Sequence, residues 1–259
     1  MDDDDGDRAL RAEADFHDAF YEESADHIYA SVAYSLVKQR NLEFILRNVP
    51  RSGTKDLISL GCGNGNFEHT LSAYFRTVRG VDLSPRAISL ARERASTLGL
   101  ANTTFHVGDA GTISLADDSV DVVLVLSTFH HLSEAAIHSL IAEARRVLRS
   151  GGVLLSVDPN RYRLLGLFKF LVARTFARYH SPEERVIPPS LLTGAMRRAG
   201  FRRVRVEWLD FFYNPLCWVF PGMPAAVARG LSAVDRAVVS VPLLNRLGNA
   251  FGVVGWVSP

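Results

Sequence analysis

Cysteine is scarce in this chain, and neither sign of charge is in excess. Only Cys62 and Cys217 occur among 259 residues, which excludes a disulfide framework and fits a reducing compartment. The formal net charge is +1 and the arginines are scattered, so no polyanion is attracted from a distance and no nucleic acid partner is expected. The chain opens with aspartates instead of the basic, apolar start of a secretion signal, so we expect a cytoplasmic location.

A membrane-spanning segment is also lacking. Residues 211–228 carry no charge, but Pro215, Pro221 and Pro224 would break a helix there, and a spanning helix must satisfy its backbone groups internally. This stretch is therefore not expected to cross a bilayer, although contact with a membrane surface stays open. No internal repeat and no metal site is predicted.

Short apolar segments alternate with helical ones from Leu57 onward, which is typical of a parallel sheet covered by helices on both faces. We predict an α/β, Rossmann-like fold with a seven-stranded, mostly parallel sheet and an antiparallel last strand. The predicted strands are 56–60, 77–82, 103–107, 120–126, 153–158, 201–210 and 251–257. The predicted helices are 66–75, a segment that starts at Pro85 and ends before Gly99, 133–149 and 189–199.

A glycine loop follows the first predicted strand. Gly61, Gly63 and Gly65 leave the backbone bare where a strand turns into a helix, so a ligand can approach the backbone closely. A dinucleotide site requires a sixth-position glycine for helix packing, and that position is Asn66. The spacing therefore argues against a nicotinamide or flavin cofactor.

Two acids follow the next two strands. Asp82 ends the second strand, where a carboxylate can accept hydrogen bonds from ribose hydroxyls, and Asp109-Ala110 follows the third strand, where it can meet an adenine amino group. Residues 127–131 follow the fourth. Open parallel sheets bind ligands beyond the carboxyl ends of their strands, so these features should converge on one crevice.

Five segments carry a family resemblance: LISLGCGNG, VRGVDLSPRAISLAR, FHVGDA, VDVVLVLSTFHHL and RRVLRSGGVLLSVDP. With them the chain resembles the class I S-adenosylmethionine (SAM) dependent methyltransferases, in particular the small bacterial group called methyltransferase type 11. The resemblance implies that the chain is an enzyme and that SAM is its cofactor. It says little about the acceptor.

The resemblance also implies a role for each motif. The loop Gly61, Cys62, Gly63, Asn64 and Gly65 would hold the methionine portion of SAM. The ribose would lie at Asp82 and Leu83, and adenine at Asp109 and Ala110. One residue departs from the pattern: the family usually has an acid two positions before the first glycine, where this chain has Ser59. Contact to the SAM ammonium would then need another carboxylate, the Ser127 region or a water molecule.

Candidates for acid-base chemistry follow the fourth and fifth strands. In this fold the end of the fourth strand faces the transferred methyl group, which is where His130 and His131 lie. A histidine titrates near neutral pH, so one of them could deprotonate the acceptor. Because adjacent residues point in different directions, we do not expect both to serve. Asp158 is the next candidate, with capping of a turn before Pro159 as its alternative.

Three segments lie outside the predicted core. Residues 1–50 are interpreted as an acidic tail and a helical N-terminal lid, with Tyr29 as a candidate cofactor contact, and residues 51–259 as the SAM-binding methyltransferase domain. Inserts at 159–188 and 211–249 would cap the substrate. Within the first insert, residues 161–178 predict an amphipathic helix with arginines opposite an apolar face.

The leading hypothesis is methyl transfer from SAM to a small-molecule acceptor, lipid-like or lipid-linked, in lipid or glycan biosynthesis. Peripheral membrane contact and a homodimer are open, because the apolar inserts could face a membrane, the substrate or a second subunit. The alternatives are a non-catalytic SAM-binding or partner-binding module of the same fold, hinted at by Ser59, and a nicotinamide oxidoreductase, disfavoured by Asn66.

Overall fold

The structure is a computed structural model that describes residues 28–164, 166 and 185–259. One sheet of seven strands dominates it, with the order β3-β2-β1-β4-β5-β7-β6. All neighbouring strands run parallel except β7, which is antiparallel to both β5 and β6. The strands are β1 Asp56–Leu60, β2 Thr77–Asp82, β3 Thr103–Val107, β4 Val120–Leu126, β5 Leu148–Pro159, β6 Arg203–Asp210 and β7 Ala250–Trp256. The predicted fold class is confirmed.

Helices cover both faces of this sheet. Successive residues of β4 alternate between two cores: Val123 and Val125 belong to one, and Val122 and Leu124 to the other, as the period of a strand requires. The described helices are α1 Val32–Asn48, α2 Glu68–Leu71, α3 Pro85–Thr97, α4 Glu134–Val147, α5 Pro189–Arg198, α6 Tyr213–Val219 and α7 Ala225–Val239. Helices α4 and α5 bury their apolar residues in the first core, and α1 buries Phe44 and Ile45 in the second.

Local signals set the boundaries of α3 and α4. The Ser84 hydroxyl accepts a hydrogen bond from the Ala87 amide at 2.8 Å, and Ser133 caps α4 in the same way through the Ala136 amide at 3.1 Å. Each hydroxyl satisfies an amide that has no partner within its helix. Both starts agree with the sequence prediction.

The first predicted helix is wrong in extent. Instead of spanning 66–75, α2 has only the four residues Glu68–Leu71. Side chains take up carbonyls in this helix and just after it: the Ser72 hydroxyl donates to His69 O at 2.7 Å, and Asn102 Nδ2 donates to the carbonyls of Ser72 and Phe75. Such local bonds offer the backbone an alternative to further helical turns.

Strand β1 lies at the centre of the parallel part of the sheet, between β2 and β4. The chain therefore leaves β1 toward one side and returns to its other side, which opens a crevice beyond the carboxyl end of β1. The glycine loop lies in this crevice. Among the described residues, no helix is both long and apolar enough to cross a membrane.

Candidate functional site

The glycine loop uses conformations that only glycine adopts without strain. The φ angles of Gly61, Gly63 and Gly65 are +72°, +53° and +71°. A Cβ atom at Gly61 would lie 2.3 Å from Thr128 Oγ1, and one at Gly65 would lie 2.6 Å from the Phe105 ring. Glycine at these two positions therefore lets the loop pack directly against Thr128 and Phe105.

Asp82 fastens this loop to the end of β2. Its Oδ2 accepts a hydrogen bond from the Gly63 amide at 2.8 Å, and its Oδ1 accepts one from the Ser84 amide at 3.0 Å. The sequence predicts a ribose contact for Asp82, but gives no sign of this positioning role. One carboxylate joins the turn after β1 to the turn after β2, so the loop and the proposed ribose site are held together.

Asp109 and Ala110 lie one strand further along the same edge. The Gly108 amide donates to the Asp82 carbonyl at 3.0 Å, which keeps the two turns adjacent. Asp109 is exposed, and its Oδ1 accepts a hydrogen bond from the Gly111 amide at 2.8 Å. Ala110 packs against the first core. This geometry puts the pair next to Asp82.

A cavity of about 240 Å³ opens beside the glycine loop. The structure brings eight of the predicted site residues together in its wall: Gly61, Cys62, Gly63, Asn64, Ser127, His130, His131 and Asp158. The others lie outside the wall, along the adjacent edge of the sheet: Gly65, Asp82, Leu83, Asp109 and Ala110.

Ser127 adopts a strained backbone conformation at the end of β4. Its φ is +51°, in the left-handed region that residues with a Cβ rarely adopt. Its amide donates to the Val157 carbonyl on β5 at 2.8 Å. Strain of this kind persists where the surroundings enforce it, and it is concentrated at functional sites.

His130 and Asp158 form a buried pair across β4 and β5. His130 Nδ1 lies 3.1 Å from Asp158 Oδ1, and the His130 amide donates to the same oxygen at 3.3 Å. Asp158 is 1% exposed, and this burial raises the pKa of its carboxyl well above the usual value. A carboxyl that orients an imidazole is an arrangement suited to proton transfer.

The two adjacent histidines were expected to point apart, and they do not. The rings of His130 and His131 lie 4.0 Å apart, tilted by 40°, and both line the cavity. The cause is the short 3-10 turn Phe129–His131, which lacks the alternation of an extended strand. Asp158 contacts His130 directly instead of only capping a turn.

A buried charge cluster that reaches the cavity wall through Arg40 and Asp210 was missed from the sequence. Arg40 Nη1 on α1 donates to Asp210 Oδ1 at 3.2 Å and to Asp235 on α7. Asp235 also accepts the backbone amides of Phe212 and Tyr213. Burial and the neighbouring Asp235 raise the pKa of Asp210 to about 7. A local pattern could not reveal this cluster, because 195 positions separate Arg40 and Asp235.

Part of the predicted lid lies outside the described residues, as do most of residues 161–178. Tyr29 is described, lines the cavity, and stacks at 4.9 Å on Tyr34. Burial raises the pKa of Tyr34. These two rings form the wall of the cavity nearest to the N-terminal segment.

Known proteins share both the sequence motifs and this fold. A family model described as a methyltransferase domain matches residues 58–152. A ubiquinone biosynthesis O-methyltransferase of Aromatoleum aromaticum is 27% identical over 183 residues, which cover 69% of this chain and 76% of that protein. The YcgJ protein of Bacillus subtilis has a TM-score of 0.59 at 18% identity, covering 85% of this chain and 99% of that one.

A third similarity is to a geranyl diphosphate methyltransferase solved in complex with SAM. Its TM-score is 0.58 at 18% identity, with 83% of this chain and 84% of that chain covered. The motifs, the seven-stranded sheet and these relatives agree on fold, cofactor and class of reaction. Together these findings support a class I SAM-dependent methyltransferase with SAM as its cofactor.

Proposed function

We propose that this methyltransferase transfers the methyl group to a hydroxyl of a small, lipid-like acceptor, with His130 as the general base. The observation that carries the proposal is the shared cavity: one wall is the glycine loop, and another is the His130–Asp158 pair. The similarity to the ubiquinone biosynthesis O-methyltransferase of Aromatoleum aromaticum supports oxygen as the methylated atom.

The residues around the glycine loop fit SAM. The backbone of Gly61, Gly63 and neighbouring Asn64 would hold its methionine portion, because these three residues line the cavity. Asp82 accepts one amide hydrogen bond at each carboxylate oxygen, and each oxygen keeps capacity for a ribose hydroxyl. Next to Asp82, Leu83 is 40% exposed and available to a ligand.

The adenine end of SAM would lie further along the same edge. Asp109 and Ala110 would flank the base, and Ser127, at the end of β4, would contact the methionine portion from the other side. When bound, SAM supplies a methyl group on a positively charged sulfur, which needs little activation of its own. The task left to the protein is to align the acceptor and to exclude water.

His130 would remove the proton of the acceptor hydroxyl. Asp158 engages Nδ1, so Nε2 is the nitrogen that would take up this proton. The imidazole then becomes positively charged, and the Asp158 carboxylate beside it stabilises that charge. A hydroxyl needs such help, since it is a poor nucleophile while it keeps its proton. His131, stacked on His130, would shape the acceptor side of the cavity.

Two observations favour an apolar acceptor. The cavity wall includes apolar side chains from several elements: Val37, Leu126, Val157, Leu209 and Trp218. In addition, the surface formed by α7 and the turn that follows exposes a run of aliphatic residues: Val227, Val234, Val241, Leu243, Leu244 and Leu247. The exposed charges nearest in sequence are arginines, which suits an anionic membrane surface.

The lid also belongs to this proposal. Helix α1 supplies Val37 and Arg40 to the cavity wall, and Tyr29 precedes it. Residues 1–50 would therefore act as the segment that closes over SAM. The inserts at 159–188 and 211–249 would complete the acceptor side, and Asn214 and Trp218 of the second insert line the cavity.

The test is turnover of SAM to S-adenosylhomocysteine with hydroxyl-bearing prenylated acceptors and their water-soluble analogues. We expect turnover that is faster with prenylated acceptors, and a fall in kcat of about 100- to 10,000-fold for His130→Ala, the range for removal of a general base. Asp158→Asn should lower kcat and shift its pH profile, while the Kd for SAM stays close to the parent value.

Three outcomes would contradict parts of the proposal. Binding of SAM without turnover of any acceptor would favour a non-catalytic module. Full activity of His130→Ala would remove the base from the mechanism. Absence of flotation with anionic vesicles would remove the membrane contact.

A further inference from the structure

A carboxylate lies behind the glycine loop although β1 itself has none at this point. Ser59, two residues before Gly61, donates its hydroxyl hydrogen bond to Glu68 Oε1 at 2.6 Å. Both side chains are buried, with Ser59 1% and Glu68 2% exposed. Glu68 begins α2, directly after the loop, and it contributes to the same cavity wall as Gly61 and Gly63.

Among the described residues, none forms an ion pair with Glu68. Its Oε2 is buried without a hydrogen-bond partner in the described part of the chain. Lys38 is the nearby cation, but its Nζ donates to the Asn66 carbonyl and to Asn66 Oδ1, the latter at 3.1 Å. A buried carboxylate is costly to maintain unless a positive group pairs with it. The arrangement therefore favours a ligand that brings a cation to this wall.

SAM brings such a group. Its methionine portion carries an ammonium and a carboxylate on the same carbon atom. The ammonium needs an anionic acceptor, and Glu68 lines the same cavity as the glycine loop that would hold the methionine portion. We propose, on the basis of the proposed function, that Glu68 is the anionic partner of the SAM ammonium and that Ser59 positions it. At position 59, β1 thus has a hydroxyl, and α2 supplies the carboxylate through Glu68.

Ionisation of Glu68 should be coupled to the binding of SAM. Burial raises the pKa of Glu68 to about 7. The charged or titratable groups that face it are Lys38, which lowers this pKa, Asp82, which raises it, and the Tyr34 and Cys62 side chains. A bound ammonium favours the ionised form, so SAM should release protons near neutral pH. The affinity for SAM should accordingly rise with pH up to and through 7.

The experiment compares ligands with and without the amino acid portion. Isothermal titration of Glu68→Gln with SAM and with S-adenosylhomocysteine should show about 10- to 100-fold weaker binding, the range for loss of a hydrogen bond to a charged group. Binding of 5′-methylthioadenosine, which lacks the ammonium, should be unchanged. The number of protons released on SAM binding, measured in two buffers, should be smaller for Glu68→Gln than for the parent chain. Glu93→Gln, an exposed site on α3, is the matched control.

A second variant moves the charge back to the strand. Ser59→Asp combined with Glu68→Ser keeps one carboxylate and one hydroxyl, and it should recover most of the affinity for SAM that Glu68→Gln loses. Parent affinity of Glu68→Gln for SAM, an equal loss for methylthioadenosine, or a folded double variant without recovery would each overturn the inference alone. If the unchanged chain takes up no SAM, the proposed function fails, and this inference fails with it.

Discussion

On the cofactor side of the cavity, the contact between Gly63 and Asp82 joins residues 19 positions apart, in consecutive elements. On the other side, formed by α1, β6 and α7, the contact between Arg40 and Asp235 joins residues 195 positions apart. The first side follows from a strand, a turn and the next strand. The second exists only when distant segments meet. One side of the site is therefore specified by local sequence, and the other side by contacts between distant segments. Four variants test this difference between the two sides.

The largest effect is expected from Arg40→Met. It leaves Asp210 and Asp235 buried without their cation, and loss of one partner of a buried pair costs about 3–5 kcal/mol of unfolding free energy. Urea denaturation measures this loss. Arg236→Met is the control, because that arginine pairs with Glu43 at the surface and should lose less than about 1 kcal/mol. Equal losses of unfolding free energy in Arg40→Met and Arg236→Met would show that the buried cluster contributes no more than a surface ion pair.

Gly61→Ala should be the next most damaging. The added methyl group would meet Thr128 Oγ1 at 2.3 Å, with φ at +72°. Left-handed backbone costs about 1–2 kcal/mol and an overpacked site about 1–3 kcal/mol, so a loss of about 2–5 kcal/mol is expected together with loss of SAM binding. Gly53→Ala, where no atom lies within 4 Å of the new methyl group, should retain both. Parent stability and SAM affinity in Gly61→Ala would show that Thr128 can move away from the loop.

Asp210 should make stability depend on pH. Its folded-state pKa of about 7 exceeds its ordinary value of 3.8, so between about pH 4 and 7 the folded state holds a proton that the unfolded state has released. Its contribution to the unfolding free energy therefore declines as pH rises through that interval, by at most about 1.4 kcal/mol per pH unit. Asp210→Asn, measured by denaturation across the same range, should lack this decline. Parallel pH curves for the two proteins would refute the assignment.

The smallest effect concerns the cap of α3. Ser84→Ala removes the hydroxyl that accepts the Ala87 amide and should cost about 1 kcal/mol. Ser133→Ala, the corresponding change at α4, should cost a similar amount without affecting SAM. A larger loss of SAM affinity for Ser84→Ala would indicate that the cap also orients Asp82, to which the Ser84 amide donates.

Much of the cofactor side could be predicted from the sequence. The glycine spacing, the acid that ends β2 and the two serine caps are each specified within a few residues, where local rules apply. The extent of α2 could not, because Asn102, about 30 positions away, takes up the carbonyls of Ser72 and Phe75, which follow the helix. The stacking of His130 on His131 depends on a 3-10 turn that no periodicity reveals. Likewise, the sequence shows that Ser59 replaces the usual acid, but it does not show that Ser59 contacts the Glu68 carboxylate.

Strand β7 is late in the chain yet lies inside the sheet, hydrogen-bonded to β5 on one side and β6 on the other. Two glycines of β7 also let α1 and α5 pack close to the strand. A Cβ atom at Gly252 would meet the Phe44 ring of α1 at 2.6 Å, and one at Gly255 would meet Met196 of α5 at 3.0 Å. During synthesis, β6, α1 and α5 therefore leave the ribosome before the surface on which they pack exists. The parallel strands β1 to β5 can assemble early, whereas β6, α1 and α5 can pack in place only after residues 250–256 have formed β7.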